Sequence, residues 1–125
     1  MRILFANPDQ KLSQIYVQHM QDHFLVDSAH DGLTAIRKFK LAPPSLIVSD
    51  YYLPLLSGLS FLKFVRNHEL YAGTPFVFLS DFDDNTQALN FGANDWLNIK
   101  TCHPDHLLSN IYHHLKTNKY GIYLT

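Results

Sequence analysis

The sequence predicts an α/β domain built as a doubly wound, five-stranded parallel sheet of order 2-1-3-4-5, and three observations carry that prediction. Apolar runs rich in β-forming residues recur five times, at residues 3–6, 24–26, 46–48, 76–79 and 96–99. Segments with helical periodicity separate them, giving a βα unit repeated five times. The runs are short and continuous rather than alternating, which places both faces of the sheet under helices. Right-handed crossovers then distribute two helices to one face and three to the other.

Taken in order, each element has a local cause. After the first run, Asn7 as N-cap, Pro8 at the first helical position, Asp9 in the first turn and Gln10 at the third position make a helix start. The helix that follows carries a stripe at Leu12, Ile15, Tyr16, His19 and Met20. Asp31 opens the second helix and Ser57 the third. Gly92 closes a short fourth helix, and His103 with Pro104 opens the fifth, whose stripe is Leu107, Leu108, Ile111, Tyr112 and Leu115. Residues 1–116 form the expected domain. Residues 117–125, with Tyr120, Gly121 and Tyr123, read as a tail or linker stub, either an extra strand or a severed connection.

Composition narrows the function. A chain of 125 residues, 46% hydrophobic, supplies one core rather than two. A formal charge of −1 leaves no basic footprint for nucleic acid. The single cysteine, Cys102, forms no internal disulfide, and neither a membrane-spanning run nor a secretion signal is present, so a cytoplasmic setting is expected. His103, His106 and His113 fall on one face of the last helix, but no carboxylate or cysteine completes a metal set, and they read as a solvated face. The five glycines form neither a G-x-G-x-x-G nor a P-loop pattern.

In a doubly wound sheet, ligands bind beyond the carboxyl ends of the strands. The residues at those ends are Asn7, Asp50, Ser80 and the pair Ile99–Lys100, so an acid, a hydroxyl and a cation are positioned to converge. The stretch 50–58, with Asp50, Pro54 and Gly58, resembles the phospho-acceptor loop of response regulator receiver domains. Asp31, Gly32 and Ala35, then Thr74 and Pro75 leading to Ser80, and Gly92, Ala93, Asn94, Asp95 and Trp96 follow that family's pattern in order and approximate spacing. The resemblance covers nearly the whole chain and implies a flavodoxin-like fold. It also implies Asp50 as the acceptor of a phosphoryl group from a histidine kinase, Ser80 as the hydroxyl that contacts it, and Trp96 as an aromatic switch residue.

Three departures from that pattern point to a degenerate member, a pseudo-receiver. The family's first strand ends in a pair of acids that hold Mg²⁺, and here Asn7 and Pro8 stand in their place. Capping is favoured over ligation for Asn7. At the fifth strand Ile99 takes the position of the family's lysine and Lys100 that of its proline. Lys100 either reaches the site through a bulge or stays exposed beside the sheet. After Ser80 come Asp81, Asp83 and Asp84, which cap the short fourth helix or, as the less favoured alternative, supply a replacement metal ligand from Asp81 or Asp83. No cofactor is therefore assigned: Mg²⁺ is expected to bind weakly, with Asp50, Asn7 and Asp81 as ligand candidates.

The reading that results is a receiver-like signalling domain of a two-component phosphorelay, with Asp50 as acceptor and a degraded Mg²⁺ site. Its alternative is a phosphorylation-independent interaction module. A small doubly wound enzyme is disfavoured because His30, the nearest base, is expected at the opposite end of the sheet from Asp50. Expected partners are a histidine kinase or another signalling protein, and a second copy docking on the fourth helix, fifth strand and fifth helix. Phe91, Trp96 and Tyr112 would line the gap beside the shortened fourth helix.

Overall fold

The computed structural model of the chain describes residues 1–81 and 85–116. Five strands, β1 (Arg2–Ala6), β2 (Leu25–Ala29), β3 (Leu46–Ser49), β4 (Phe76–Ser80) and β5 (Asp95–Asn98), alternate with five helices. These are α1 (Gln10–Met20), α2 (Gly32–Leu41), α3 (Gly58–Arg66), α4 (Thr86–Asn90) and α5 (Pro104–Lys116). Every strand pair is parallel, and the order is β2-β1-β3-β4-β5. The tail at residues 117–125 and the acids Asp83 and Asp84 lie outside the described residues.

Two apolar layers sandwich the sheet. Tyr16 and Met20 of α1 and Leu107 and Ile111 of α5 pack on Ile3, Phe5, Leu46, Val48 and Leu79. On the other face Phe39 of α2, Phe61 and Val65 of α3 and Ala88 of α4 pack on Leu4, Ile47, Phe76 and Phe78. This is the two-and-three division of helices that right-handed crossovers require. Every residue of β3 and β4 is buried, whereas all four residues of β5 are half-buried, because β5 is an edge strand beside a helix of only five residues.

The first helix starts later than its sequence suggests. Asp9 is the N-cap: its carboxylate accepts from the backbone N–H of Lys11 and Leu12, at 3.0 and 3.1 Å. A carboxylate is a stronger acceptor than an amide and complements the positive end of the helix. Asn7 therefore does not cap α1, Pro8 precedes the cap, and Gln10 is the first helical residue. The stripe is also narrower than expected, with Ser13, Tyr16 and Met20 buried and Ile15 exposed. The other boundaries follow the sequence signals. Asp31 accepts from the N–H of Thr34, Ser57 from that of Ser60, and Gly92 takes a left-handed φ of 101° just past α4.

One half-buried cation, Arg66, ties the far end of the molecule together. The Arg66 guanidinium donates to the carbonyls of Ala72, Thr74 and Gly92 and to Asn94 Oδ1, and Asn94 Oδ1 also accepts from the N–H of Phe76. The end of α3 is thereby bonded to the turn before β4 and to the turn that leads into β5.

Candidate phospho-acceptor site

The site lies where β1, β3 and β4 end. Asp50 follows β3, with its N–H bonded to the Ala6 carbonyl at 2.8 Å, so the ladder holds its backbone up to the last residue. Its Oδ1 accepts from Ser80 Oγ at 2.9 Å and from the Tyr52 N–H at 3.0 Å. Its Oδ2 accepts from Asn7 Nδ2, at 3.4 Å. The two oxygens are thus unequal: Oδ1 is held by two good bonds, and Oδ2 keeps lone pairs for reaction.

Burial pushes the Asp50 carboxyl above the usual carboxylate range. The Tyr52 N–H and the Ser80 hydroxyl pull the other way, and the negative charge of Asp81 adds to the rise. Among the described residues all the hydrogen-bond donors to Asp50 are neutral.

Glycines make room for this geometry. A Cβ on Gly58 would stand 2.1 Å from the Asp50 carbonyl oxygen, and one on Gly32 1.9 Å from the Leu56 carbonyl oxygen. The loop between β3 and α3 is therefore pressed against both the acid and the start of α2, where the Gly32 N–H bonds the Pro54 carbonyl at 3.0 Å. These close approaches explain the Pro54 and Gly58 spacing.

Other candidates fall where the sequence did not place them. Asn7, expected as a cap, is 2% exposed and belongs to the site. Its N–H still extends the ladder to Ala29, and its Oδ1 accepts from the Asp9 N–H at 2.8 Å. His30 is at the same end of the sheet as Asp50, not the opposite one. Because β2 runs parallel to β1, with Ala6 opposite Ala29, its carboxyl end lies beside that of β1, and His30 Nδ1 meets the Asn7 carbonyl at 2.9 Å. Lys100 is exposed in a turn closed by Asn98 Oδ1, which accepts the Lys100 N–H at 2.8 Å. Among the described residues no hydrogen bond or ion pair joins its ammonium to Asp50. Ile99 packs into the layer under α1 and α5.

The three aromatics expected on one face are dispersed. Trp96 packs on Tyr51 and Phe78, with ring centroids 5.4 and 5.2 Å apart, under α2, α3 and α4. Phe91 is exposed beneath the Lys63 ammonium, 4.1 Å from its ring. Tyr112 turns towards α1, where its hydroxyl meets His23 Nδ1 at 3.0 Å and its ring contacts Phe24. Helix geometry separates them: the first two follow β5 and α4, and Tyr112 sits on the α5 flank nearest α1.

Sequence reasoning missed Tyr51 and Tyr52. The Tyr52 amide is an Asx-type contact two residues after an aspartate, a recurrent local pattern that was available to find it. Tyr51 links the acid to Trp96 through its ring, and no periodicity marks such a contact.

The family implies a bound Mg²⁺, and the donor set does not suit one. Mg²⁺ requires oxygen ligands in near-octahedral array, including one or two carboxylates. Here Asp50 supplies one carboxylate, Pro8 supplies no side-chain ligand, and Asn7 turns an N–H donor towards Asp50. Among the described residues no group of three or more His, Cys, Asp or Glu side chains is placed to hold a metal.

Known proteins resemble the chain in sequence and in fold. The response regulator receiver domain family matches residues 3–112. The chain is 33% identical over 100 residues to the transcriptional regulatory protein TrcR of Mycobacterium tuberculosis, covering 77% of this chain and 38% of that protein. It is 32% identical over 115 residues to the transcriptional regulatory protein DltR of Streptococcus agalactiae, covering 89% of this chain and 50% of that one. The chain thus spans half or less of these relatives. Among solved structures, the chemotaxis response regulator CheY4 of Vibrio cholerae superposes with a TM-score of 0.83 at 28% identity, covering 90% of this chain and 96% of that one. With residues 3–112 matched by its profile and the fold shared, the chain belongs to the response regulator receiver domain family, a signalling module of two-component systems rather than an enzyme in its own right.

Proposed function

We propose that Asp50 is the phospho-acceptor of this receiver and that its chemistry is weakened by the loss of a proper metal site. The observation that carries the reading is the bond from Ser80 Oγ to Asp50 Oδ1, which leaves Oδ2, with its long contact to Asn7, as the nucleophile at the carboxyl end of β3. In the transfer, Oδ2 attacks the phosphorus of a phosphohistidine on a histidine kinase or relay protein. The P–N bond breaks, its electron pair returns to the imidazole nitrogen, and an acyl phosphate forms on Asp50. Ser80 contacts the product, and Trp96, joined to the acid through Tyr51, is the aromatic that reports it. Lys100 lies outside this constellation.

The second reading, a phosphorylation-independent interaction module, draws support from Asn7, Asp81 and Ile99, which replace or crowd the groups that would assist transfer. In either reading residues 1–116 act as one unit and residues 117–125 as its connector. The expected setting is the cytoplasm, and no helix among the described residues is long and apolar enough to cross a membrane. A second copy would dock on α4, β5 and α5, where Leu89 and Phe91 are exposed. The deciding experiment is incubation with acetyl phosphate followed by peptide mass spectrometry. A phosphoryl group on the peptide containing Asp50, absent from Asp50→Ala, supports the first reading. An unlabelled protein, or label that survives Asp50→Ala, overturns it in favour of the second.

A further inference from the structure

The Asn7 carboxamide is fixed at every polar atom. Its backbone N–H bonds the Ala29 carbonyl and its own carbonyl meets His30 Nδ1. Its Oδ1 is taken by the Asp9 N–H at 2.8 Å, and its Nδ2 faces Asp50 Oδ2 at 3.4 Å. Exchanging the amide oxygen and nitrogen would set an NH₂ against the Asp9 N–H and an oxygen against the Asp50 carboxylate. Both contacts would be repulsive, so the hydrogen-bond network assigns the orientation. At 2% exposure the group has little freedom to turn away.

The positive pole beside the acid is therefore part of the protein. We infer that Asn7 substitutes for a divalent cation at the Asp50 carboxylate, so that the state of this site does not depend on Mg²⁺. The inference rests on Asp50 being the functional acid, and it names Asn7 as a positioning residue. The N–H dipole faces the oxygen that a cation would neutralise. A cation arriving there would meet a donor instead of a lone pair and would have to break the Asp9 contact to recruit the amide oxygen. The cost of this arrangement is a half-buried carboxylate with only neutral donors, in keeping with its resistance to ionisation. Replacing Asn7 by aspartate would bring two carboxylates together, a pair that ionises fully only with a cation between them.

The test is thermal unfolding of the whole chain in EDTA and in millimolar Mg²⁺, for the wild type, Asn7→Asp, Asn7→Ala and Asp50→Ala. A metal that binds only the folded state raises the midpoint. The wild type and Asn7→Ala are expected to melt at the same temperature in both media, with Asn7→Ala lower because the Asp9 N–H loses its acceptor. Asn7→Asp is expected to melt lower than the wild type in EDTA and to rise by several degrees in Mg²⁺. A wild-type midpoint that rises with Mg²⁺, and stops doing so in Asp50→Ala, overturns the inference. So does an Asn7→Asp protein as indifferent to Mg²⁺ as the wild type. If Asn7→Asp does not fold, titration of the wild type decides. Movement of the amide resonances of Asp50, Tyr52 and Ser80 with millimolar Mg²⁺ overturns the inference, and their constancy supports it. Metal binding is measured here without phosphorylation, so this inference and the acceptor reading fail separately.

Discussion

Replacing Asp50 by asparagine should stabilise the fold, and the size of the gain follows from the contacts. An asparagine carbonyl at the Oδ1 position keeps the bonds from Ser80 Oγ and the Tyr52 N–H. Its NH₂ would replace Oδ2 opposite Asn7 Nδ2, exchanging a contact that at 3.4 Å is already weak for two donors that must turn apart, a cost of about 0.5 kcal/mol. Against that cost stands relief of the desolvation that pushes the wild-type carboxyl up, worth roughly 1.5 kcal/mol for a half-buried acid with neutral partners once solvent screening is discounted. The net expectation for Asp50→Asn near pH 7 is a gain of about 1 kcal/mol, or a midpoint higher by about 3 to 6 °C. The sign of the pH dependence is set by the direction of the shift. A carboxyl raised in the folded state carries its penalty only when ionised, so the penalty is absent below the unfolded-state value and grows as pH rises through the folded one. Urea unfolding of both proteins should accordingly show the gain near pH 7 and little of it near about pH 3. A variant less stable than the wild type at neutral pH, or equally favoured at both, refutes the reasoning.

Gly58→Ala should cost about 2 kcal/mol or more, because its Cβ would collide with the Asp50 carbonyl 2.1 Å away, and denaturant unfolding reads the loss directly. Arg66→Ala should cost roughly 3 kcal/mol, since it strips a partner from the carbonyls of Ala72, Thr74 and Gly92 and from Asn94 at once. Calorimetry should read that loss, and hydrogen exchange should show earlier loss of amide protection at the start of β4 and β5. Asp95 has the opposite pH behaviour to Asp50. Burial pushes its carboxyl up, but bonds from Asn110, His114 and the Trp96 N–H outweigh that and hold it below the usual range. Its stabilisation is present above the unfolded-state value and is lost as pH falls through the lower folded one, so Asp95→Asn should cost about 0.5 kcal/mol at neutral pH, solvent screening included, and almost nothing in strong acid by urea titration.

The architecture was legible because it depends on repeated, local signals. Continuous apolar runs such as 76–79 announce strands covered on both faces, and Asp31, Ser57 and Gly92 sit where the helices begin or end. The acid and the hydroxyl of the site were legible for the same reason, being the residues at strand ends. Asn7 was not, since an amide before a proline and an acid reads more readily as a cap than as a site residue. The choice between them is made by Asp9, whose carboxylate takes the helix N–H groups and leaves Asn7 facing Asp50. His30 was assigned to the wrong end because its place depends on strand direction: in a parallel sheet every strand delivers its last residue to the same rim. The dispersion of Phe91, Trp96 and Tyr112 could not be read from periodicity, which ranks the positions along one helix but does not say which neighbour each face meets.

On the function proposed above, Asp50 accepts a phosphoryl group in a site where an amide stands in for the metal. The most direct test is the initial rate of acetyl phosphate labelling of the wild-type chain, followed by intact-mass spectrometry with Mg²⁺ and again with EDTA. Slow labelling at Asp50 is expected, with rates in the two media equal within about twofold, a difference of roughly 0.4 kcal/mol in activation free energy. Labelling that is rapid with Mg²⁺ and abolished by EDTA would contradict it.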